Sequence, residues 1–456
     1  MSKRMAVVLA AGKGTRMKSS LYKVLHPVCG LPMVEHVIRA VKASQVEEIV
    51  TIIGHGAQQV KEVLGDASRY AMQEEQLGTG HAVLQAAELL ADQEGQTLVI
   101  CGDTPLFTAE TLSELFAQHE ARGAQATVLT AILADATGYG RIVRSAQDDV
   151  ERIVEHKDAT EEQRQIKEIN TGTFVFDNQA LFKALAKVTN QNAQGEYYLT
   201  DVIELIKADG GLVGAHVMAD HLESLGVNDR RALSQANQIM SRRINQAHMV
   251  AGVSFMNPDT VYIETDVTIG PDTVIENGVL LKGKTSIGSS CYIGANTEIV
   301  DSQIADQVKI TQSVIESSTV AEGATVGPFA HLRPKSYLGK DVHIGNFVEV
   351  KNSTIGQGTK SGHLTYIGDA DLGEGINIGC GTIFVNYDGK RKFRSKVGDQ
   401  AFIGCNANIV SPVEIGQRAF IAAGATITND VPDEALAISR VEQSNISNYW
   451  QKFLNK

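Results

Sequence analysis

The sequence predicts two folds in tandem: an α/β unit built on a mostly parallel sheet, then an all-β rod of parallel coils. Three observations carry this. From residue 263 to about 431 an aliphatic residue recurs every six positions. Over residues 1–228 short apolar runs alternate with amphipathic helical patterns. Between them, residues 229–250 place Leu233, Ala236, Met240 and Ile244 on one face of a helix.

The repeat starts with Ile263, Ile269, Ile275, Leu281, Ile287, Ile293 and Ile299. After one-residue slips it resumes at Ile304 and Ile310. It continues at Val320, Val326, Leu332, Leu338, Ile344 and Val350, at Ile355, Ser361 and Ile367, and at Leu372 and Ile378. A polar insertion, 386–396, interrupts it, and Val397, Ile403, Ile409, Ile415, Ile421 and Ile427 close the run. A period of six is neither helical nor simple strand alternation; it marks a repeat architecture. Three sixes make a triangular coil. Each aliphatic side chain points into the prism, and Gly, Asp or Asn is expected at the corners, where backbone sterics punish larger residues. Coils stacked ~4.8 Å apart pair as parallel strands, and about nine of them make a rod of roughly 40 Å.

Composition agrees. Hydrophobic content is 43% but aromatic content only 5%, which suits a narrow core of Ile, Val, Leu and Ala. A net charge of −12 excludes a basic nucleic-acid footprint. Five scattered cysteines with no CxxC argue against a disulfide framework or zinc site and fit a reducing cytosol. The apolar run after Lys3 and Arg4 is too short for a signal peptide, and no stretch is long enough to span a membrane.

In the first unit, residues 5–10 read as a buried strand running into LAAGKGTRM, a glycine-rich turn with Lys13 and Arg16. Small residues let backbone N–H groups approach a nucleotide, and the cations neutralise phosphate. Helical patterns at 34–43, 57–64 and 109–121 alternate with strands at 48–53 and 97–100, so ligands are expected at the strand carboxyl ends. Asp103, just past the apolar run 98–101, suits a magnesium ion held against phosphate oxygens, or equally a turn.

A prism core explains stability, so function is expected where the repeat is broken. Arg333 and Lys351 are one coil apart, and either stack as a phosphate site or stand as two solvated cations. His363 interrupts the repeat near Tyr366 and the insertion, and an imidazole is poised to deprotonate an attacking amine. It lies on a different face from Lys351, so a neighbouring subunit is expected to bring them together.

Ordered motifs then make a resemblance specific. LAAGKGTRM, Lys23, EQLGTGHA, GDTPL, GYGRIVR, VEHKDA, EINTG, NQNAQGEYYLTD and GVND precede the hexapeptide region. Together they resemble the bacterial bifunctional N-acetylglucosamine-1-phosphate uridyltransferase and glucosamine-1-phosphate N-acetyltransferase family, over nearly the whole chain. The resemblance implies a Rossmann-like nucleotidyltransferase domain at 1–228, a helical arm at 229–250 and a left-handed β-helix acetyltransferase domain with a tail at 251–456. It implies acetyl transfer from acetyl-CoA to glucosamine-1-phosphate, then uridylyl transfer from UTP with Mg²⁺, in a cytoplasmic homotrimer that supplies cell-wall precursor. By it, Leu9, Ala10, Ala11, Gly12, Lys23, Gln73, Gly78 and Thr79 hold the nucleotide, with Lys13 and Arg16 beside them. Gly140, Glu155 and Asn170 hold the sugar, and Asp103 and Asn228 the metal. His363 is the base. Arg333, Lys351, Tyr366, Asn377 and Lys392 bind glucosamine-1-phosphate, while Asn386, Tyr387, Ala423, Arg440 and positions 380 and 405 meet substrate or acetyl-CoA.

Four positions depart from the family pattern: Tyr22 stands for Pro, Cys101 for Tyr, Cys380 for Ala and Cys405 for Ser. Tyr22 is expected to put a flexible residue where the family has a fixed turn. Two rival readings of the layout are a single-function pyrophosphorylase with the prism as scaffold, and a non-catalytic assembly subunit. The tail, with Tyr449, Trp450 and Phe453, is expected to dock on a neighbouring subunit.

Overall fold

The computed structural model describes residues 2–145, 149–192 and 194–454, so Ala193 of the NQNAQGEYYLTD motif and the last two residues of the tail lie outside it. The chain forms two compact units, Met1–Met240 and Ser241–Lys456.

The first unit holds a mixed sheet of β1 (Arg4–Ala10), β2 (Glu48–Ile53), β3 (Arg69–Met72), β4 (Gln96–Cys101), β5 (Ala126–Ile132), β6 (Arg141–Arg144), β7 (Val150–Val154), β8 (Glu168–Asp177) and β9 (Val213–Val217). Its order is β9-β5-β8-β4-β1-β2-β3, with β6 pairing β8 and β7. All neighbours along that path are parallel except β8, which runs antiparallel to β4 and β5. Buried on both faces, β1 and β4 read as continuous apolar runs rather than alternating ones. Helices α1 (Met33–Ala43), α2 (Ala57–Leu64), α3 (Thr79–Leu84) and α4 (Ala109–Arg122) connect them. The chain leaves β1 toward β2 while β4 lies on β1's other side. The loops after β1 and β4 therefore part and open a crevice.

Helix α5 (Arg230–Val250) covers the predicted arm. Ala236 and Met240 are buried as their spacing requires. A polar residue on it is buried as well: Asn245 donates to the carbonyls of Pro258 at 2.8 Å and Val261 at 3.0 Å, so it anchors the first coil.

In the second unit every coil pairs in register with the next. Ile263 lies over Leu281, Leu281 over Ile299, and Leu332 over Val350. One face stacks nine short strands among the described residues. The predicted inward residues form one continuous core, with Ile269 partly buried against it. Two residues of the same column escaped the six-residue count, Ile315 and Phe384, both wholly buried, and a second buried column, with Val261, Val279 and Val308, runs two residues before it. The insertion ends at 394, because Ser395–Val397 rejoins the prism beside Ala370–Leu372. Ser361 holds a core position with its hydroxyl buried and unpartnered.

The corners correct the expectation of small residues. Asp272, Asn296 and Asp341 take positive φ as foreseen, but so do Phe329, Phe347 and Leu364, at φ 57°, 58° and 37°. Bulky residues are rare there, so surrounding structure must hold them. The register stacks the three on successive coils. The Phe329 and Phe347 rings lie 5.4 Å apart and nearly parallel, and all three side chains are exposed. The tail helix α6 (Tyr449–Leu454) exposes Tyr449, Trp450 and Phe453.

Candidate active sites

In the first unit a cleft of about 270 Å³ opens at the crevice after β1 and β4. Leu9, Ala10, Ala11 and Gly12 form one wall, Gln73, Gly78 and Thr79 another, and Lys23, Cys101 and Asp103 the floor. Gln76 and Glu196 also line it and were not foreseen. Two glycines are dictated by fit. Gly14 sits at φ 64°, and a side chain there would collide with the stem of Lys23. Gly78 has φ 120°, and a Cβ on it would lie 2.6 Å from the Tyr197 carbonyl oxygen. That close approach lets Gly80 N–H donate to Tyr197 O at 2.8 Å and Leu199 N–H to Thr79 Oγ1 at 3.1 Å. The QLGTG and GEYYLTD motifs thus clasp each other.

Lys23 organises the floor. Its ammonium contacts the Asp103 carboxylate and lies 3.2 Å from Asn228 Oδ1, which also accepts from Arg16 Nη2 at 2.8 Å. The residue before it is not flexible. Tyr22 has φ −61°, the angle a proline would fix, and its buried hydroxyl donates to Ala10 O at 2.6 Å. Burial pushes the phenol's pKa up. A packed ring and one hydrogen bond replace the ring constraint of proline. The Cys101 thiol is pushed up to about 12 by burial and then by the Asp103 charge.

The three predicted sugar residues also meet. A side-chain carbon on Gly140 would lie 3.4 Å from Glu155 Oε1 and 3.6 Å from Asn170 Cβ. Burial, then the charges of Asp158 and Asp201, raise the Glu155 pKa. Asp201 itself is raised to about 6 by burial, Glu204 and Asp158. Lys13 is exposed and does not line the cleft.

In the second unit the predicted cations converge. Lys351 is shifted down first by the neighbouring Lys392 ammonium, then by desolvation and by Arg333. The insertion brings Lys392 back: Tyr387 and Lys392 pair across it, and Asp388 Oδ1 accepts from the backbone of Lys390 at 2.8 Å and Arg391 at 2.6 Å. Arg333 is held by Glu349 at 2.9 Å. A buried carboxylate that sequence reasoning missed, Asp369, ties the set together. It accepts from Asn386 and from Asn352, both at 2.5 Å, and Asn386 reaches Tyr366 Oη at 3.3 Å.

His363 belongs to a different set. It is exposed, and its Nδ1 lies 2.8 Å from Oδ1 of Asn346, its partner on the preceding coil. An amide oxygen only accepts, so this contact places a proton on Nδ1, and in the neutral ring Nε2 is then the acceptor. Asn346 was not foreseen; its signal is the coil register. Among the described residues no hydrogen bond joins the His363 set to the Lys351 set. Asn377 stands exposed on the face where Phe402 and Phe420 follow it. Cys380 and Cys405 fall in one column of corners with Ala423, and Arg440 donates to Ala423 O at 2.6 Å.

Comparison with known proteins fits this division. Residues 5–226 match the nucleotidyl transferase family, residues 259–356 a GMPPB C-terminal domain, and residues 394–429 six bacterial transferase hexapeptide repeats. The last match identifies the coils as a left-handed parallel β-helix. "Bifunctional protein GlmU" of Enterococcus faecalis is 62% identical over 452 residues, spanning 99% of both chains. The chain belongs to the GlmU family. The GlmU proteins of Levilactobacillus brevis and Halalkalibacterium halodurans are 59% and 58% identical over the same length, covering 99% of this chain. As a GlmU family member the chain is a bifunctional transferase of UDP-N-acetylglucosamine synthesis, with uridylyltransferase and N-acetyltransferase activities and small-molecule substrates. No helix among the described residues is long and apolar enough to cross a membrane.

Proposed function

We propose that the two activities divide between the units, uridylyl transfer in residues 1–228 and acetyl transfer in 251–456, joined by the arm at 229–250. The observation that carries the first assignment is the cleft floor, where one ammonium sits between the Asp103 carboxylate and the Asn228 amide oxygen. Two hard oxygens on the floor of this cleft, from Asp103 and Asn228, are donors that would hold magnesium beside the phosphates of a bound nucleotide. When bound, Mg²⁺ neutralises phosphate charge. Lys23 and Arg16 stabilise the charge that develops as the sugar phosphate attacks the α-phosphorus of UTP and pyrophosphate leaves. Backbone N–H groups of 10–12 face the nucleotide. Gly140 keeps the sugar side open, where Glu155 and Asn170 accept and donate hydrogen bonds.

In the prism, Arg333, Lys351 and Lys392 hold the phosphate of glucosamine-1-phosphate, with Tyr366 and Asn377 on the sugar. Nε2 of His363 takes the proton from the amine as it attacks the thioester of acetyl-CoA. Asn386, Tyr387, Cys380, Cys405, Ala423 and Arg440 border the acetyl-CoA path. A homotrimer brings His363 of one copy to the cation set of the next. The exposed ladder of Phe329, Phe347 and Leu364 beside His363 supports this, because an apolar strip on a repeat is covered by another copy of the same chain. Both reactions are set in the cytoplasm.

His363→Ala tests the division. It abolishes CoA release from acetyl-CoA and leaves pyrophosphate release from UTP unchanged; unaltered acetyl transfer refutes the assignment. Sedimentation velocity at micromolar concentration tests the trimer.

A further inference from the structure

Of the five cysteines, three are sheltered or unreactive. Cys29 and Cys291 are buried, and burial raises the Cys291 thiol. Cys101 is half-buried at the surface of its cleft, but its thiol is pushed up to about 12, so almost no thiolate forms at neutral pH. Cys405 is exposed and Cys380 partly so.

The register puts these two together. Ile378 pairs with Ile403, Gly379 N–H donates to Ile403 O at 2.8 Å, and Asn406 N–H donates to Cys380 O at 2.8 Å. Two residues beyond each paired isoleucine, Cys380 and Cys405 therefore occupy the same corner of adjacent coils. The coils approach closely there: a Cβ on Gly379 would lie 2.5 Å from Cys405 N. Neither cysteine has positive φ, so both corners share ordinary backbone. Stacked strands are ~4.8 Å apart, inside the ~4.4–6.8 Å window of Cα separations that a disulfide spans. The Cβ atoms must close by about an ångström, which makes the bond strained and readily reduced.

We propose that Cys380 and Cys405 form a reversible inter-coil disulfide that shuts acetyl transfer while leaving uridylyl transfer running. The effect on acetyl transfer rests on the reading that acetyl-CoA passes beside this column. The oxidant is a low-molecular-weight disulfide. The exposed Cys405 thiolate attacks one of its sulfurs and expels a thiolate. Cys380 then attacks the Cys405 sulfur of the mixed disulfide and expels the second. Two cysteine thiols lose two electrons and two protons, and one disulfide becomes two thiols. The bridge draws the two corners together and leaves less room beside Ala423.

The test treats full-length protein with hydroxyethyl disulfide. The expected result is one peptide linking positions 380 and 405, found by mass spectrometry, with acetyl transfer falling at least about tenfold. Pyrophosphate release is unchanged, and dithiothreitol restores the loss. In Cys405→Ser, whatever its basal rate, oxidant leaves acetyl transfer where the reduced variant has it. Absence of the linked peptide overturns the bridge. A linked peptide with unchanged acetyl transfer overturns the switch. Acetyl-CoA, added before oxidant, slows bridging; bridging that it does not slow refutes the placement of acetyl-CoA beside this column, a result distinct from failure of the bridge.

Discussion

Replacing Lys23 by Met probes the first site most directly, because the stem that packs under Gly14 is kept and only the ammonium is lost. Both side chains of the Lys23–Asp103 pair are about one-sixth exposed, at 14% and 16%. At an effective dielectric near 20, a pair about 3 Å apart has a gross attraction of ~5 kcal/mol. Breaking a buried pair costs ~3–5 kcal/mol, mostly from stranding the remaining charge. Partial solvent access reduces that to about 2 kcal/mol here. The catalytic loss is separate. Removing one preorganised charge from a phosphoryl-transfer site costs about a hundred- to a thousandfold in rate, as for a lost oxyanion donor. The assay is pyrophosphate release from UTP and N-acetylglucosamine-1-phosphate. CoA release by the same preparation serves as internal control, since the proposed division puts acetyl transfer in the other unit. A variant within about fivefold of wild type in uridylyl transfer would refute the argument that this ammonium faces the reacting phosphates. So would a parallel fall in both activities.

Ser361→Ala removes a buried hydroxyl with no partner and little volume, so urea titration followed in the prism should show a gain of about 1 kcal/mol. Loss of stability there would mean that the hydroxyl is bonded. Asn346→Ala frees the His363 ring to turn and to change tautomer; acetyl transfer should fall about tenfold or more with a displaced pH–rate profile, while Asn346→Gln recovers part of it. An unchanged profile would leave Asn346 a structural residue only. For Asp201, the folded pKa of about 6 lies above the ordinary 3.8, so the folded state binds its proton more tightly than the unfolded chain does. Its favourable contribution is present below pH 4 and is lost as pH rises through 6. A pKa raised from 3.8 to about 6 corresponds to ~3 kcal/mol at most, and partial exposure brings it nearer ~1 kcal/mol. Asp201→Asn should therefore raise the unfolding temperature at pH 7.5 and not at pH 4; equal gains at both would exclude this cause.

What the sequence made legible follows from how each feature is encoded. A large aliphatic residue at every sixth position survives as a period, so the prism, its slips and much of its core could be read directly. Ile315 and Phe384 were missed because one follows a shortened interval and the other is aromatic. Corners are fixed by φ, which residue type only biases; hence Phe329, Phe347 and Leu364 were unexpected. Tyr22 looked like a lost constraint because its anchor, Ala10 O, is reached through folding rather than along the chain. Asp369, Asn346 and Asn245 carry no local signal, since each matters through a partner on another coil or element.

The clasp between residues 77–80 and 196–199 also bears on synthesis. One wall of the first unit's cleft is held by residues about 120 positions downstream, and its floor is completed by Asn228, whose neighbour Val227 donates to Asp103 O at 2.9 Å. The glycine-rich turn is synthesised well before residues 196–199 and Asn228, and has no rigid counterpart until that last stretch of its unit follows. Contacts this distant in sequence form late in folding. A nascent chain that has not yet reached residue 228 thus exposes the turn without a cleft around it, and on the proposed assignment nucleotide binding becomes a marker that the first unit has finished folding.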